Sequence, residues 1–368
     1  MKIAFDQQIF LLQEYGGISR YVCELQKSLA KFENVDSEIF AYLHTNKNLK
    51  YRKVRSKYNF YFSPGNFIKN KIIQYVSPRL SRLAMQKFKP KIIHETYYSA
   101  EPFKIKNAYN VLTVYDMIHE LYSQEFQNSR KTTDPKKAAA YRADHIICIS
   151  DNTRRELINI FGLSQNNISV VHLGVDATFW AEPSVIIREI FNRPFLLFVG
   201  KREGYKNFNF FLRAFASSRL LMSEFDIVCF GGGLFTECEL TMAKSLGLQP
   251  NQLRNRSGAD TELRGLYHHA HALVYPSLHE GFGLPPLEAM AAQCPVIVSN
   301  QSSLPEIVGD AGQYFDPNDI ESARSAIELV LTSKKISQQL IELGKQRCRQ
   351  FTWEKCATET LEIYNRLN

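Results

Sequence analysis

The stretch His279–Met290, "HEGFGLPPLEAM", decides how this chain is read. It follows "ALVYPS" (272–277), an apolar run with the length and composition of a buried strand. Pro285 and Pro286 then open a helix, where their missing N–H groups break no intrahelical bond. A glycine-bearing corner therefore joins the carboxyl end of a strand to the amino end of a helix. The N–H groups of Phe282, Gly283 and Leu284 lack helical acceptors there, an arrangement suited to an anion such as phosphate. Gly281 and Gly283 permit positive φ and let a ligand approach the backbone. Glu288 is expected in the first helical turn, where the dipole stabilises a carboxylate that can accept from two vicinal hydroxyls. Glu280, just past the strand, can reach a second polyol. Ligands of open parallel α/β sheets bind at such strand ends.

The rest of the chain repeats the pattern. "KIAFD" (2–6) is a first strand, followed by "YGGISRY" (15–21) and a helix from about 18 to 31. "EIFAYL" (38–43), "KIIHET" (91–96), "NVLTVYD" (110–116), "HIICIS" (145–150) and "ISVVHL" (168–173) continue the series. Periodicity is lost over "GVDATFWAEPSVIIREIFNRP", and a second series starts with "FLLFVG" (195–200), "FDIVCFGG" (225–232), "ALVYPS" and "PVIVSN" (295–300). At 368 residues the chain exceeds what one hydrophobic core comfortably serves. The expected organisation is an α/β domain over 1–174, a linker over 175–194, a second α/β domain over 195–350, and a terminal helix over 351–368 that can pack back on the first domain.

Composition narrows the class. Apolar residues make up 45% and charged residues 22%, as in globular proteins, and no eighteen-residue apolar run proposes a transmembrane helix. "MKIAFDQQIF" lacks a signal-peptide core, so a cytoplasmic location is expected. Seven cysteines form neither a C-x-x-C pair nor a zinc-type cluster and read as buried reduced thiols. No Asp-x-Asp triplet occurs, which removes a common carboxylate pattern for a divalent ion; no metal and no cofactor are expected. The net charge of +8 is uneven: residues 41–94 hold thirteen Lys/Arg and no Asp or Glu. Basic and apolar residues interleave there at roughly helical spacing, which suits residues 47–91 to an anionic membrane surface. No motif for nucleic acid accompanies the charge.

Two more loops lie at strand ends. "FVGKREGYKNF" (198–208) offers Arg202 and Lys206, with Lys201 as competitor, to neutralise a diphosphate. "FGGG" (230–233) lets backbone approach a nucleotide or simply makes a tight turn. "Ser303-x-x-Glu306" is expected to be a helix capping box.

The block "EGFGLPPLE" with the following "AMAAQCPVIVSNQSSLPEIVGDAGQYFDP" resembles the C-terminal domain of family-four retaining glycosyltransferases of the GT-B fold. "FVGKREGYKNF" resembles that family's diphosphate loop, "VHLGVD" (171–176) its interdomain crossing and "YGGISRY" its N-terminal glycine loop. The resemblance implies two Rossmann-like, doubly wound parallel-sheet domains facing a central cleft, the first binding acceptor and the second the sugar nucleotide. It implies transfer with retention and without metal, in which the donor's β-phosphate deprotonates the acceptor. Glu280 would contact the donor sugar, Glu288 the ribose, and Arg202 and Lys206 (or Lys201) the diphosphate. Residues 281–284 and Gly17 would hold donor oxygens, and the base would sit near "RNRSGAD" (254–260), which includes Gly258. Where many relatives have His-Asp, this chain has Tyr115-Asp116, with His119 placed to take the histidine's part beside the donor sugar. Asp116, Tyr97 and Tyr98 face the expected acceptor side, although Tyr97 and Tyr98 are equally suited to core packing.

The resemblance extends to bacterial mannosyltransferases of surface-polysaccharide and lipopolysaccharide assembly. It makes GDP-mannose the expected donor and a glycan or lipid-linked glycan the expected acceptor, at the inner face of the cell membrane. UDP-glucose, UDP-N-acetylglucosamine, or a non-catalytic binding protein on the same fold are the alternatives.

Overall fold

Short apolar runs become the strands of two six-stranded sheets in which every pairing is parallel. The structure, a computed structural model, describes residues 1–51, 54–56, 59–63, 67–101, 103–182 and 193–367, with backbone only for 67–72. Its first strands are β1 (Lys2–Phe5), β2 (Asp36–Ile39), β3 (Leu43–His44), β4 (Phe60–Tyr61), β5 (Ile92–Glu95), β6 (Tyr109–Val114), β7 (His145–Cys148) and β8 (Ile168–Val170). The second series is β9 (Phe195–Val199), β10 (Asp226–Phe230), β11 (Leu253–Arg256), β12 (Ala272–Tyr275), β13 (Val296–Ser299) and β14 (Gly312–Phe315). The sheet orders are β2-β1-β5-β6-β7-β8 and β11-β10-β9-β12-β13-β14, with β3 and β4 pairing separately. Parallel strands require crossovers, and amphipathic helices supply them.

Two compact units result: Met1–Gly174 together with Trp353–Asn368, and Val175–Thr352. Within the proposed linker, Ala177–Trp180 form a short turn belonging to the second unit, and residues 183–192 lie outside the described residues.

In the first unit the terminal helix Trp353–Leu367 packs on the helix Gly17–Leu29, with Trp353 and Tyr21 ring centroids 6.2 Å apart. His94, wholly buried on β5, ties that helix to the sheet: Nδ1 meets the Tyr364 hydroxyl and Nε2 lies 2.7 Å from Thr113 Oγ1. Burial pushes the His94 pKa down to about 3, so both ring contacts are made by a neutral imidazole.

The second unit's core is aromatic: Phe198 packs against Phe208 and Phe211, their ring centroids 4.9 and 6.4 Å away. Six of the seven cysteines are buried, Cys238 is exposed, and all are unpaired thiols. Among the described residues no helix is long and apolar enough to cross a membrane.

Candidate active site

β9 and β12 are neighbours, so the loops leaving their carboxyl ends meet. The β9 loop closes in a turn at Gly204–Lys206, and the Leu278 N–H donates to the Tyr205 carbonyl at 2.8 Å to fasten the two loops. Lys206 Nζ then lies 2.6 Å from Glu280 Oε1 and 3.1 Å from the Tyr275 hydroxyl at the end of β12. Both side chains of the ion pair are largely buried, 15% and 10% exposed, which raises the cost of losing either charge. Burial, then the Glu280 carboxylate, holds the Tyr275 pKa well above the ordinary phenol value, keeping its hydroxyl protonated.

The Glu280 backbone is fixed from the other side. Its N–H donates to Ser302 Oγ at 3.0 Å, Ser302 Oγ donates to its carbonyl at 2.6 Å, and Ser303 Oγ sits 2.9 Å from the same carbonyl. Ser303 Oγ is also 2.8 Å from the Phe282 carbonyl, and Ser303 makes no cap to the helix Leu304–Val308. The expected capping box at Ser303–Glu306 is therefore overturned: the hydroxyl pins the Glu280–Phe282 corner instead. The same pattern does cap at Thr236–Glu239, opening the helix Glu237–Ser245.

The helix after the corner runs Leu284–Ala291 with Gly283 as its N-cap. Gly283 has φ +117°, a conformation that favours glycine, and an added Cβ would also press on Leu304 Cδ2 at 3.0 Å. Gly281 does not take up the positive φ that glycine permits. Glu288 also departs from expectation, falling in the second helical turn, 4% exposed, where its carboxylate accepts from the Tyr267 hydroxyl at 3.2 Å. A buried partner, rather than the first-turn dipole, orients it.

Arg202, expected at the diphosphate, is held by the protein's own carbonyls and a carboxylate. Its guanidinium is buried and its Nε donates to Glu239 Oε1 at 2.7 Å. Nη1 donates to the Gly231 carbonyl at 3.0 Å, and Nη2 faces the carbonyls of Gly232, Gly233 and Leu234 at 3.4, 3.1 and 2.8 Å. Those glycines have φ of +86°, +73° and +75°, which turns three successive carbonyls inward, and a Cβ on Gly232 would lie 2.9 Å from Arg202 Nη1. Most of the fork's donors are thus turned onto Glu239 and the "FGGG" carbonyls, so Arg202 braces that loop. Lys201 beside it is exposed. Gly258 is exposed between β11 and the helix Asp260–His269, where a Cβ would collide with the Glu262 carboxylate.

In the first unit Gly17 starts the helix Gly17–Leu29 and is exposed. Asp116 follows β6, and Lys136, fully buried, donates from Nζ to the Asp116 carbonyl at 2.9 Å and to Glu120 Oε2 at 2.7 Å. The same Nζ stands 5.2 Å from the Tyr98 ring centroid. Tyr98 is buried with its hydroxyl accepting from the Tyr115 N–H at 3.1 Å, so it packs in the core; Tyr97 is half-buried, 4.4 Å from it. Burial and the Asp116 and Glu120 charges push the Tyr97 pKa up to about 12. His119 stacks on Phe126 at 4.4 Å, and burial lowers its pKa, which favours the neutral ring. Tyr275, Tyr267, Lys136 and Glu239 escaped the sequence reading, because each earns its place through a partner distant in the chain.

Comparison with known proteins places both units. Residues 15–179 match the family described as Glycosyltransferase Family 4, and residues 186–347 match Glycosyl transferases group 1. The chain is 28% identical over 304 residues to O-antigen chain mannosyltransferase B of Escherichia coli, covering 79% of this chain and 78% of that protein. It is 29% identical over 271 residues to the serotype-specific mannosyltransferase WbdA of Escherichia coli, covering 70% of this chain but 33% of that longer protein. Among solved structures, Anabaena Alr3699/HepE, crystallised with UDP and glucose, superposes with a TM-score of 0.75 over 100% of each chain at 16% identity. Two parallel Rossmann-like sheets in sequence, together with family matches over 15–179 and 186–347, make this chain a GT-B glycosyltransferase of group 1 and family four.

Proposed function

We propose that this glycosyltransferase moves mannose from GDP-mannose, with retention and without a metal, onto a glycan or lipid-linked acceptor in cell-surface polysaccharide synthesis. The observation that carries the site is the Lys206–Glu280 pair at the ends of β9 and β12, with Lys201 exposed on the β9 loop. The naming of the Escherichia coli relatives supports mannose and the polysaccharide setting.

In this reading Lys206, joined by Lys201 rather than Arg202, neutralises the charge that grows on the β-phosphate as the bond from sugar C1 to phosphate oxygen breaks. The acceptor hydroxyl attacks C1 from the face the diphosphate leaves, and a β-phosphate oxygen takes its proton. The products are the extended glycan and the protonated nucleoside diphosphate, and no protein nucleophile is needed. Glu280 keeps free lone pairs beyond its lysine contact and accepts from donor-sugar hydroxyls. Glu288 accepts from the ribose, Gly281–Leu284 and Gly17 approach donor oxygens, and Gly258 lies in the loop assigned to the base. His119 is the proposed partner of the donor sugar, and Asp116 and Tyr97 of the acceptor.

A thermal-shift series with GDP, UDP and ADP in excess EDTA tests this. GDP at 100 times its dissociation constant should stabilise the protein by about 2.7 kcal/mol, and Glu288→Ala should remove most of that gain. UDP selectivity would replace GDP-mannose with a UDP-sugar, and no response to any diphosphate would reject the donor site.

Peripheral attachment to an anionic membrane is part of the proposal. It is supported by the basic segment 47–91 and by Tyr75 and Leu83, 65% and 64% exposed on the helix Phe67–Phe88. Residues 52, 53, 57, 58 and 64–66 of that segment lie outside the described residues. Charge reversal at Arg79 and Lys87 should halve or more the sedimentation with phosphatidylglycerol vesicles at low salt. Unchanged sedimentation would dismiss the segment as the anchor.

A further inference from the structure

The first unit contains a cavity of about 380 Å³ beyond the carboxyl ends of β1 and β5. That volume falls in the ~300–1,000 Å³ range of small-molecule sites. Asp6, Gln7, Glu95 and Tyr98 line one part of it, and apolar side chains including Leu11 and Met85 line another.

The polar part is rich in hydrogen-bond acceptors: neutral donors hold Asp6, whose pKa burial raises, and a cation holds Glu95. Asp6 accepts from the Thr96 N–H at 3.0 Å, from the Gln8 N–H at 3.2 Å and from Gln8 Nε2 at 2.6 Å. Glu95 is paired with Arg142, whose Nη2 lies 2.6 Å from Oε2, and burial still raises the Glu95 pKa to about 7. Arg82, the cation among the lining residues, is paired with Glu101 at 3.8 Å. One group is left over: Gln7, 9% exposed, has a buried Oε1 with no hydrogen-bond partner among the described residues. A buried carbonyl without a donor is costly, and a ligand hydroxyl would offset that cost.

A phosphate would meet three carboxylates, Asp6, Glu95 and Glu101, and one arginine that is already paired; an ammonium would find Glu95 taken by Arg142 and Asp6 disfavoured as an anion by its burial. An uncharged molecule with hydroxyl donors and an apolar face meets neither objection, and a sugar ring is such a molecule. Tyr98 connects the cavity to the acceptor side, because its ring also lies under Lys136, which holds Asp116.

We propose that this cavity is a subsite for one neutral monosaccharide unit of the acceptor glycan, with Gln7 Oε1 accepting from one of its hydroxyls. The assignment of the unit to an acceptor rests on the transferase reading above; the chemistry of the cavity does not.

The test follows the Met85 methyl resonance of the full chain during titration with methyl α-mannopyranoside and with an α-linked mannobiose, against inorganic phosphate as control. The sugars should shift Met85 saturably and phosphate should not. Gln7→Met, which removes the unpaired carbonyl at similar volume, should weaken the sugar response roughly three- to tenfold without lowering Tm. Leu11→Trp, which fills the space, should abolish it while GDP still raises Tm. An unmoved Met85, an equal response to phosphate, or unchanged affinity in both variants overturns the subsite. A sugar response without any nucleotide-induced shift keeps the subsite and rejects the transferase reading instead.

Discussion

Lys206→Ala should lower kcat by about 10²–10³, the loss expected when one preorganised donor to a developing oxyanion is removed, about 2.7–4 kcal/mol. The side chain is already immobilised by Glu280 at 2.6 Å and Tyr275 at 3.1 Å, so its charge requires little reorganisation as the diphosphate leaves. The measurement is the initial rate at saturating donor, made on protein whose folded fraction has been checked, because Glu280 is left buried without its cation. Lys206→Arg should recover part of kcat by restoring charge without restoring the geometry of a compact ammonium. Glu280→Gln separates the partners: it keeps the volume, removes the carboxylate, and should act on donor KM as well as kcat. A Lys206→Ala enzyme with near-native turnover would end the assignment of this lysine to the diphosphate.

Arg202→Met should cost stability, by about 3–5 kcal/mol, because it strands Glu239 and several inward carbonyls without a donor. Urea unfolding should show the loss as a lower midpoint. Adding Glu239→Gln to Arg202→Met should return part of it, since the uncompensated charge is then gone. If Arg202 met the diphosphate instead, the single variant would keep its midpoint and lose donor binding. The two outcomes are opposite, so this pair of measurements decides between the family-derived expectation and the geometry.

The fold was legible where strands are buried on both faces, and least legible at sheet edges. β11 ("LRNR") and β14 ("GQYF") went unread, and they are the two outer strands of the second sheet, half-exposed and without a continuous apolar run. β2 was placed two residues late, at 38–43 rather than Asp36–Ile39, again at an edge. For the site, glycine corners and flanking carboxylates could be found because they follow strands in the chain. The partner of each side chain could not. "Arg202" and "Lys206" look equivalent as letters, yet the "FGGG" carbonyls draw in one and Glu280 the other. Likewise Thr236–Glu239 and Ser303–Glu306 share one spacing, but the second serine finds better acceptors in a loop more than twenty residues away.

The terminal helix gives the chain an order of assembly. β1 to β8 leave the ribosome before the second unit, but the helix that covers Tyr21 and His94 is made after it. At synthesis rates of about 5–20 residues per second, the roughly 180 residues of the second unit delay that cover by about 10–35 s. For that interval the second unit can complete its core, while the earlier-made one waits with an apolar face exposed to chaperones.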